Sequence, residues 1–461
     1  MSSAPSPQPS KIGSNFKFVR IPCLQRVTKV CANSSGAFWA LKVDYRHAPI
    51  QIEGNGIAED LKEVMPFVVM YGDGEWKRTM KGGRYALGLK RGKDRTLSEP
   101  ASLQPTDPDD EDIDTDEVKE DVLRLRHLCE IVDQEKKGRK DYPKDRRLPF
   151  DADVMVFSQS EAAFPAHRVI LAARSHVLCS VLNGEMVAKE EKANVSTRFV
   201  PSKGKHPAAP RPFPSISTCG KLMISGCHTL TILVFLTYLY SDELLAVWDP
   251  RVKAQLQKEC LQLKVKPDQV KAELQALART LDLPLLSEAL ELSIKRVPMP
   301  SVARDIGKLW LDTQLFEDWE SPFVRGSKSP LAPDVLLQLA DRDVWCHSLL
   351  LRTRLDLFSS FFGEEDWIVN RRNDNGVVKL NFRHLKWNAM QYVLRFVFCG
   401  EEEELFERLG ELARYFQRYV VQLNNIDRAD SVEDVLEFMF SVMSAAVRSI
   451  VRQAHLPIAY S

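Results

Sequence analysis

The sequence has no net charge, no Cys-x-x-Cys pair and no long apolar run. Sixty-three Lys and Arg balance 63 Asp and Glu. That balance excludes a chain that is basic or acidic throughout, as a general nucleic-acid binder or a polyacidic buffer would be. The nine cysteines are scattered and odd in number, so a secreted disulfide scaffold is not expected. The longest apolar run, Leu230 to Tyr240, is about half of the ~20 residues that a membrane span needs. Met1 to Asn15 is polar and rich in Pro and Ser, unlike a secretory leader. The expectation is a cytoplasmic or nuclear protein, not secreted, that engages neither nucleic acid nor membrane.

Catalytic and metal patterns are also missing. No Gly-x-Ser-x-Gly or His-Glu-x-x-His occurs, and Gly54-Asn-Gly56 and Gly82-Gly83 fit no phosphate-binding loop. Counted from Asp107, EF-hand positions 6 and 12 hold Asp112 and Val118 instead of Gly and Glu. Cys219, Cys227 and His228 have no second ligand pair at zinc-finger spacing. No catalytic residue, cofactor or metal is expected.

What the chain does have is globular composition, with 44% hydrophobic and 27% charged residues. Its length suggests two to four domains. Residues 1–15 read as a disordered tail and 16–90 as a β-rich fragment, on Val27, Val30, Phe38 and Leu41 between turn signals. Residues 91–145 read as a linker, first acidic (Asp107 to Asp121) and then basic (Lys136 to Arg147). A strand at Val154–Phe157 and a buried helix over His167–Leu182 follow. Residues 187–221 read as a basic, proline-rich loop, a solvated insertion or a docking segment for an acidic partner or for the chain's own acidic linker. Leu230–Tyr240 reads as a second buried helix. Amphipathic helices run from Arg251 to Arg296 with breaks at Pro267 and Pro284, and Val432–Gln453 holds one or two more.

An internal repeat is the most informative feature. Asp153-Val-Met-Val, His167, Arg174 and Leu178 are matched by Asp334-Val-Leu-Leu, His347, Arg354 and Phe358. The spacing from His to Arg is seven residues in both. Leu236-Thr-Tyr238-Leu-Tyr240 is matched by Leu394-Arg-Phe396-Val-Phe398. The offset falls from 180 residues at the histidines to 158 at the aromatics, which assigns an insertion of about 22 residues to the proline-rich stretch. Both histidines read as buried structural groups.

Phe164-Pro-Ala-His167-Arg168-Val-Ile-Leu-Ala-Ala-Arg174 and Phe235-Leu-Thr-Tyr238-Leu-Tyr240-Ser-Asp-Glu-Leu244 resemble the BTB/POZ domain. The second copy, around Trp345-Cys-His347-Ser-Leu-Leu-Leu-Arg-Thr-Arg354, is a weaker match. Leu24 to Leu41 resembles one repeat of a regulator-of-chromosome-condensation-type propeller. The order is similar to the C-terminal part of the family of the inhibitor of Bruton tyrosine kinase. The fold class implied is α+β. It comprises a first BTB/POZ domain over 146–247 with its insertion, a helical connector over 248–325, a second BTB/POZ domain over 326–405, and C-terminal helices over 406–461.

The resemblance implies an interaction adaptor that recruits a client to a cullin-based ubiquitin ligase. The alternative is a dimerising scaffold or signalling inhibitor without cullin binding. The resemblance places Asp153, Arg168 and Asp334 near a dimer interface, with Ser348 standing where Arg168 stands in the first copy. It places cullin contacts on Val181, Leu182, Asn183 and Glu185, and on Phe361 and Phe362 in the second copy. Asn183 occupies a position where the family carries an acid. The copies form either a homodimer or an internal pair.

Overall fold

A computed structural model of the protein describes residues 27–32, 38–42, 56–71, 115–137, 147–190, 194–202, 213–315, 329–372 and 377–399. Contacts divide the chain into two units, Met1–Ile52 with Glu403–Met439, and Glu53–Glu402 with Phe440–Ser461. The described part of the first unit is an antiparallel hairpin of β1 (Val27–Ala32) and β2 (Phe38–Lys42). The expected tail and C-terminal helices lie outside the described residues.

The second unit begins with three helices that the sequence did not announce: α1 (Ile57–Glu63), α2 (Pro66–Tyr71) and α3 (Thr115–Lys136). Within the stretch expected to be β-rich, 16–90, residues 57–63 and 66–71 are therefore helical. The linker expected over 91–145 contains a helix of 22 residues. Its acids crowd the first two turns, where Glu117, Glu120 and Asp121 oppose the positive end of the helix dipole. Behind them Val122, Leu125, Cys129 and Val132 form a buried stripe at helical spacing. Acid count hid an amphipathic helix.

A five-stranded module follows: β3 (Val154–Phe157), β4 (Ala163–Ala166), α4 (Arg168–Arg174), α5 (His176–Leu182), β5 (Ala188–Glu190), β6 (Val195–Val200), β7 (Gly220–Ser225) and α6 (Thr229–Ser241). The strand order is β4-β3-β7-β6-β5, with β3 parallel to β7 and the other pairs antiparallel. Two expectations change here. The helix over His167–Leu182 is two helices, because Ser175 is extended (φ −150°) and its Oγ accepts the Leu178 N–H at 3.1 Å. The stretch 187–221 is not all loop. The prolines begin at Pro201, and the proline-free Ala188–Val200 supplies a β5–β6 hairpin.

Helices α7 (Pro250–Lys253), α8 (Gln257–Leu263), α9 (Pro267–Thr280), α10 (Pro284–Ala289) and α11 (Val302–Leu315) come next. Proline opens three of them, since its missing N–H is unpaired in the first turn anyway. A three-stranded module then holds β8 (Val335–Gln338), β9 (Asp343–Cys346), α12 (Ser348–Arg354), α13 (Asp356–Gly363), α14 (Glu365–Val369), β10 (Val378–Asn381) and α15 (Trp387–Cys399). Here β8 pairs antiparallel with β9 and parallel with β10, as β3 does with β4 and β7.

The two modules share one core, bridged by α1 and α11. From α1, Lys62 reaches Glu243 of the first module at 2.5 Å and Asp60 reaches Arg354 of the second at 2.8 Å. From α11, Asp305 and Ser301 just before it meet Arg174 of the first, while Trp310 stacks on Phe398 of the second at 4.5 Å. The paired arginines of the sequence repeat thus each end on a bridging helix.

The paired histidines are both buried, but their surroundings differ by one hydroxyl. His167 Nε2 donates to the Phe150 carbonyl at 3.0 Å, which leaves Nδ1 as an acceptor 2.8 Å from the Tyr240 hydroxyl. The same hydroxyl accepts the His167 N–H at 2.9 Å. His347 keeps the Nε2 bond, to Leu331 at 3.1 Å. Phe398 stands where Tyr240 stands, and His347 Nδ1 has no hydrogen-bond partner among the described residues. Tyr240→Phe is expected to cost about 1–3 kcal/mol, because it orphans two buried groups at once. A urea midpoint equal to wild type would show that the hydroxyl contributes nothing.

Candidate interaction surface

Asp153 ends the approach to β3 and faces the start of α4. Its Oδ1 accepts the Arg168 N–H and its Oδ2 the Arg168 Nε, both at 2.8 Å. The carboxylate therefore caps a helix N-terminus as well as forming an ion pair. Both side chains stay partly exposed, at 34% and 26%. Asp334 repeats the cap, accepting the Ser348 N–H at 2.7 Å and the Ser348 hydroxyl at 2.5 Å. The loss of arginine at that position does not leave the carboxylate alone: serine supplies the second donor.

The cullin-contact candidates do not form one kind of surface. Val181 and Leu182 are buried, and Asn183 and Glu185 are exposed and bonded to each other at 3.1 Å. An exposed pair of this kind contributes little to stability. Beyond them Met186 and Val187 are 42% and 59% exposed. In the three-stranded module Phe362 is buried and Phe361 is half-buried under Trp367, with ring centroids 4.6 Å apart.

Three features were missed in the sequence. Met186 and Val187 are apolar but exposed, and the signal for them is Gly184, which ends α5 just before. The junction of Arg147, Asp151 and Arg352 joins the modules: Arg352 reaches Asp151 at 3.3 Å, and Arg147 binds the same carboxylate at 2.6 and 2.7 Å. The third is Lys295, which bonds Asp121 at 2.6 Å and Glu117 at 2.8 Å and so anchors the start of α3. Burial raises Asp121 above the usual carboxylate range, against the pull of Lys295.

No arrangement for catalysis emerges among the described residues. Burial pushes the Cys129, Cys219 and Cys227 thiols up to about 12, far from the reactive thiolate range. No cluster of His, Cys, Asp and Glu there can hold a metal ion. A shallow groove of about 340 Å³ lies between Leu285, Ala289, Val297 and Met299, with the Glu288–Arg296 pair (2.9 Å) on its rim. Its lining offers no convergent acid and base. No helix among the described residues is long and apolar enough to cross a membrane.

Residues 145–204, which span β3 to β6, match the BTB/POZ domain. The chain therefore contains a BTB/POZ domain, an interaction module and not a catalytic one. Over 397 residues it is 25% identical to "BTB/POZ domain-containing protein 1" of Schizosaccharomyces pombe (strain 972 / ATCC 24843). The match takes in 86% of this chain and 24% of that relative, so the chain spans about a quarter of its length.

Proposed function

We propose that the chain is a tandem BTB/POZ adaptor that docks a cullin scaffold and presents a client to its ubiquitin ligase. The first domain covers 146–247 and the second 326–405, joined by a helical connector over 248–325. The parallel β8–β10 pairing, the buried His347 and the Asp334 cap support the second assignment, since each has its counterpart in the first. We also read the β1–β2 hairpin as part of a propeller repeat, and the whole as resembling the inhibitor of Bruton tyrosine kinase.

The observation that carries the cullin reading is the end of α5. Buried Val181 and Leu182 hold up an exposed loop whose Met186 and Val187 are apolar. Large exposed apolar side chains beside a polar rim fit a docking surface. A pull-down with the cullin N-terminal domain tests it. Wild type should bind, and Val187→Asp should weaken binding by about tenfold or more. No binding by wild type, where another BTB adaptor binds, would leave the scaffold reading, which Asn183 at the acid position favours.

A further inference from the structure

The two modules end their second helix in different ways. Helix α5 closes on itself. Gly184 takes φ +76°, its N–H donates to the Val181 carbonyl at 2.9 Å, and the Glu185 N–H reaches Ser180 at 3.0 Å. This pair of bonds satisfies the last carbonyls locally, and glycine adopts the left-handed turn without a Cβ penalty. The chain then leaves with Asn183 to Val187 exposed.

Helix α13 lacks that device. Glu364 at its C-cap is extended (ψ 116°), and no left-handed residue follows to turn the chain back. Its end is closed from the other module. Arg147 Nη2 donates to the Phe362 carbonyl at 2.7 Å, with Nη1 3.5 Å from the Gly363 carbonyl. A guanidinium at a helix C-terminus satisfies orphan carbonyls and complements the negative end of the dipole. Arg147 is held for this by Asp151, by the Phe213 ring 4.0 Å away and by a backbone bridge to Ser215. Beside it Arg352 of α12 reaches Asp151 at 3.3 Å and lies 5.2 Å over the Phe150 ring. The turn 147–151 is thus seated on α12 and α13.

The contact is heterologous: the entry turn of one module meets the helix ends of the other. The α5 end takes no part in it. We infer that the modules are unequal docking faces. Residues 147–151 close the α13 end, and the chain offers a scaffold only the α5 end, so one scaffold domain binds per chain. The stoichiometry rests on the cullin reading above; the closure of α13 does not.

Native mass spectrometry of the full chain with excess cullin N-terminal domain reads the stoichiometry. One domain per chain is expected, weakened about tenfold or more in Val187→Asp and unchanged in Glu364→Lys. Two domains per chain, or binding that is lost in Glu364→Lys and survives Val187→Asp, overturns the inequality while the cullin reading stands. No binding at all overturns the cullin reading and the stoichiometry with it. Hydrogen exchange of Arg147→Ala reads the closure without any partner. Amides of 358–363 should exchange about tenfold faster than in wild type, with those of 178–183 unchanged. Equal exchange at 358–363 overturns the closure.

Discussion

Arg174→Met should destabilise the chain by about 3–5 kcal/mol, close to the whole stability of a marginal domain. Arg174 is the last residue of α4, and its side chain is 1% exposed. It donates to Ser301 Oγ at 2.7 Å and pairs with Asp242 and Asp305. Asp242 also accepts the N–H groups of Ser301 and Val302, both at 2.7 Å, and so caps the bridging helix α11. Methionine fills similar volume but leaves carboxylates in a low-dielectric site without their cation. Replacing a whole buried ion cluster by apolar groups is often tolerated; removing one member is not. Adding Asp305→Asn to Arg174→Met should therefore recover part of the loss. Denaturant midpoints of the three chains measure it. A loss under about 1 kcal/mol for Arg174→Met would put the cluster in the class of weak surface pairs.

The same cluster shows what was legible in the sequence. Arg174 and Arg354 were visible as a repeat, because a seven-residue spacing from histidine survives in both copies. Their partners were not visible. Asp305 and Asp60 lie 131 and 294 residues away along the chain. A spacing argument finds neighbours on one helix, not a helix that arrives from elsewhere. The same limit hid α1 and α3 as parts of this core: Leu61 and Leu125 are fully buried only because distant elements cover them. Helix α6 was legible for the opposite reason. All thirteen of its residues are buried, so no face pattern was needed to find it. At the candidate site, the helical pattern that ends at Leu182 was legible, whereas the closing of α13 by Arg147 was not. That contact depends on the absence of a left-handed residue after Gly363, and its partner lies 215 residues away.

Acid should weaken the fold well before its carboxylates titrate. His167 and His347 are both held below the usual histidine range, in each case chiefly by burial. Asp153 and the Phe150 carbonyl pull His167 back up, and Arg352 adds to the lowering. Asp334 and the Leu331 carbonyl act likewise on His347. The folded chain therefore keeps both rings neutral at a pH where the unfolded chain, with pKa about 6.5, already binds protons. Stability is fully present above about pH 6.5 and is lost as pH falls toward the folded values. Each histidine contributes a slope of up to about 1.4 kcal/mol per pH unit in the window between its folded and unfolded values, so the two together contribute at most about 2–3 kcal/mol per unit there. The carboxylates enter later. Burial raises Asp249, but hydrogen bonds from Arg251 and from the Lys295 backbone N–H, with the charge of Arg251, outweigh it and hold Asp249 down at about 2, so its contribution survives until the pH is far lower. Asp121 works in the opposite sense, because a raised carboxyl takes its proton in the folded state first and is relieved by acid. Urea midpoints at several pH values between 5 and 7.5 test this window. His347→Leu isolates one term, since Nδ1 has no partner to lose and the ring makes a single bond to Leu331. The variant should have a shallower slope just below pH 6.5, by up to about 1.4 kcal/mol per unit. A slope identical to wild type would mean that His347 titrates in the folded chain as it does in water, and that burial does not control it.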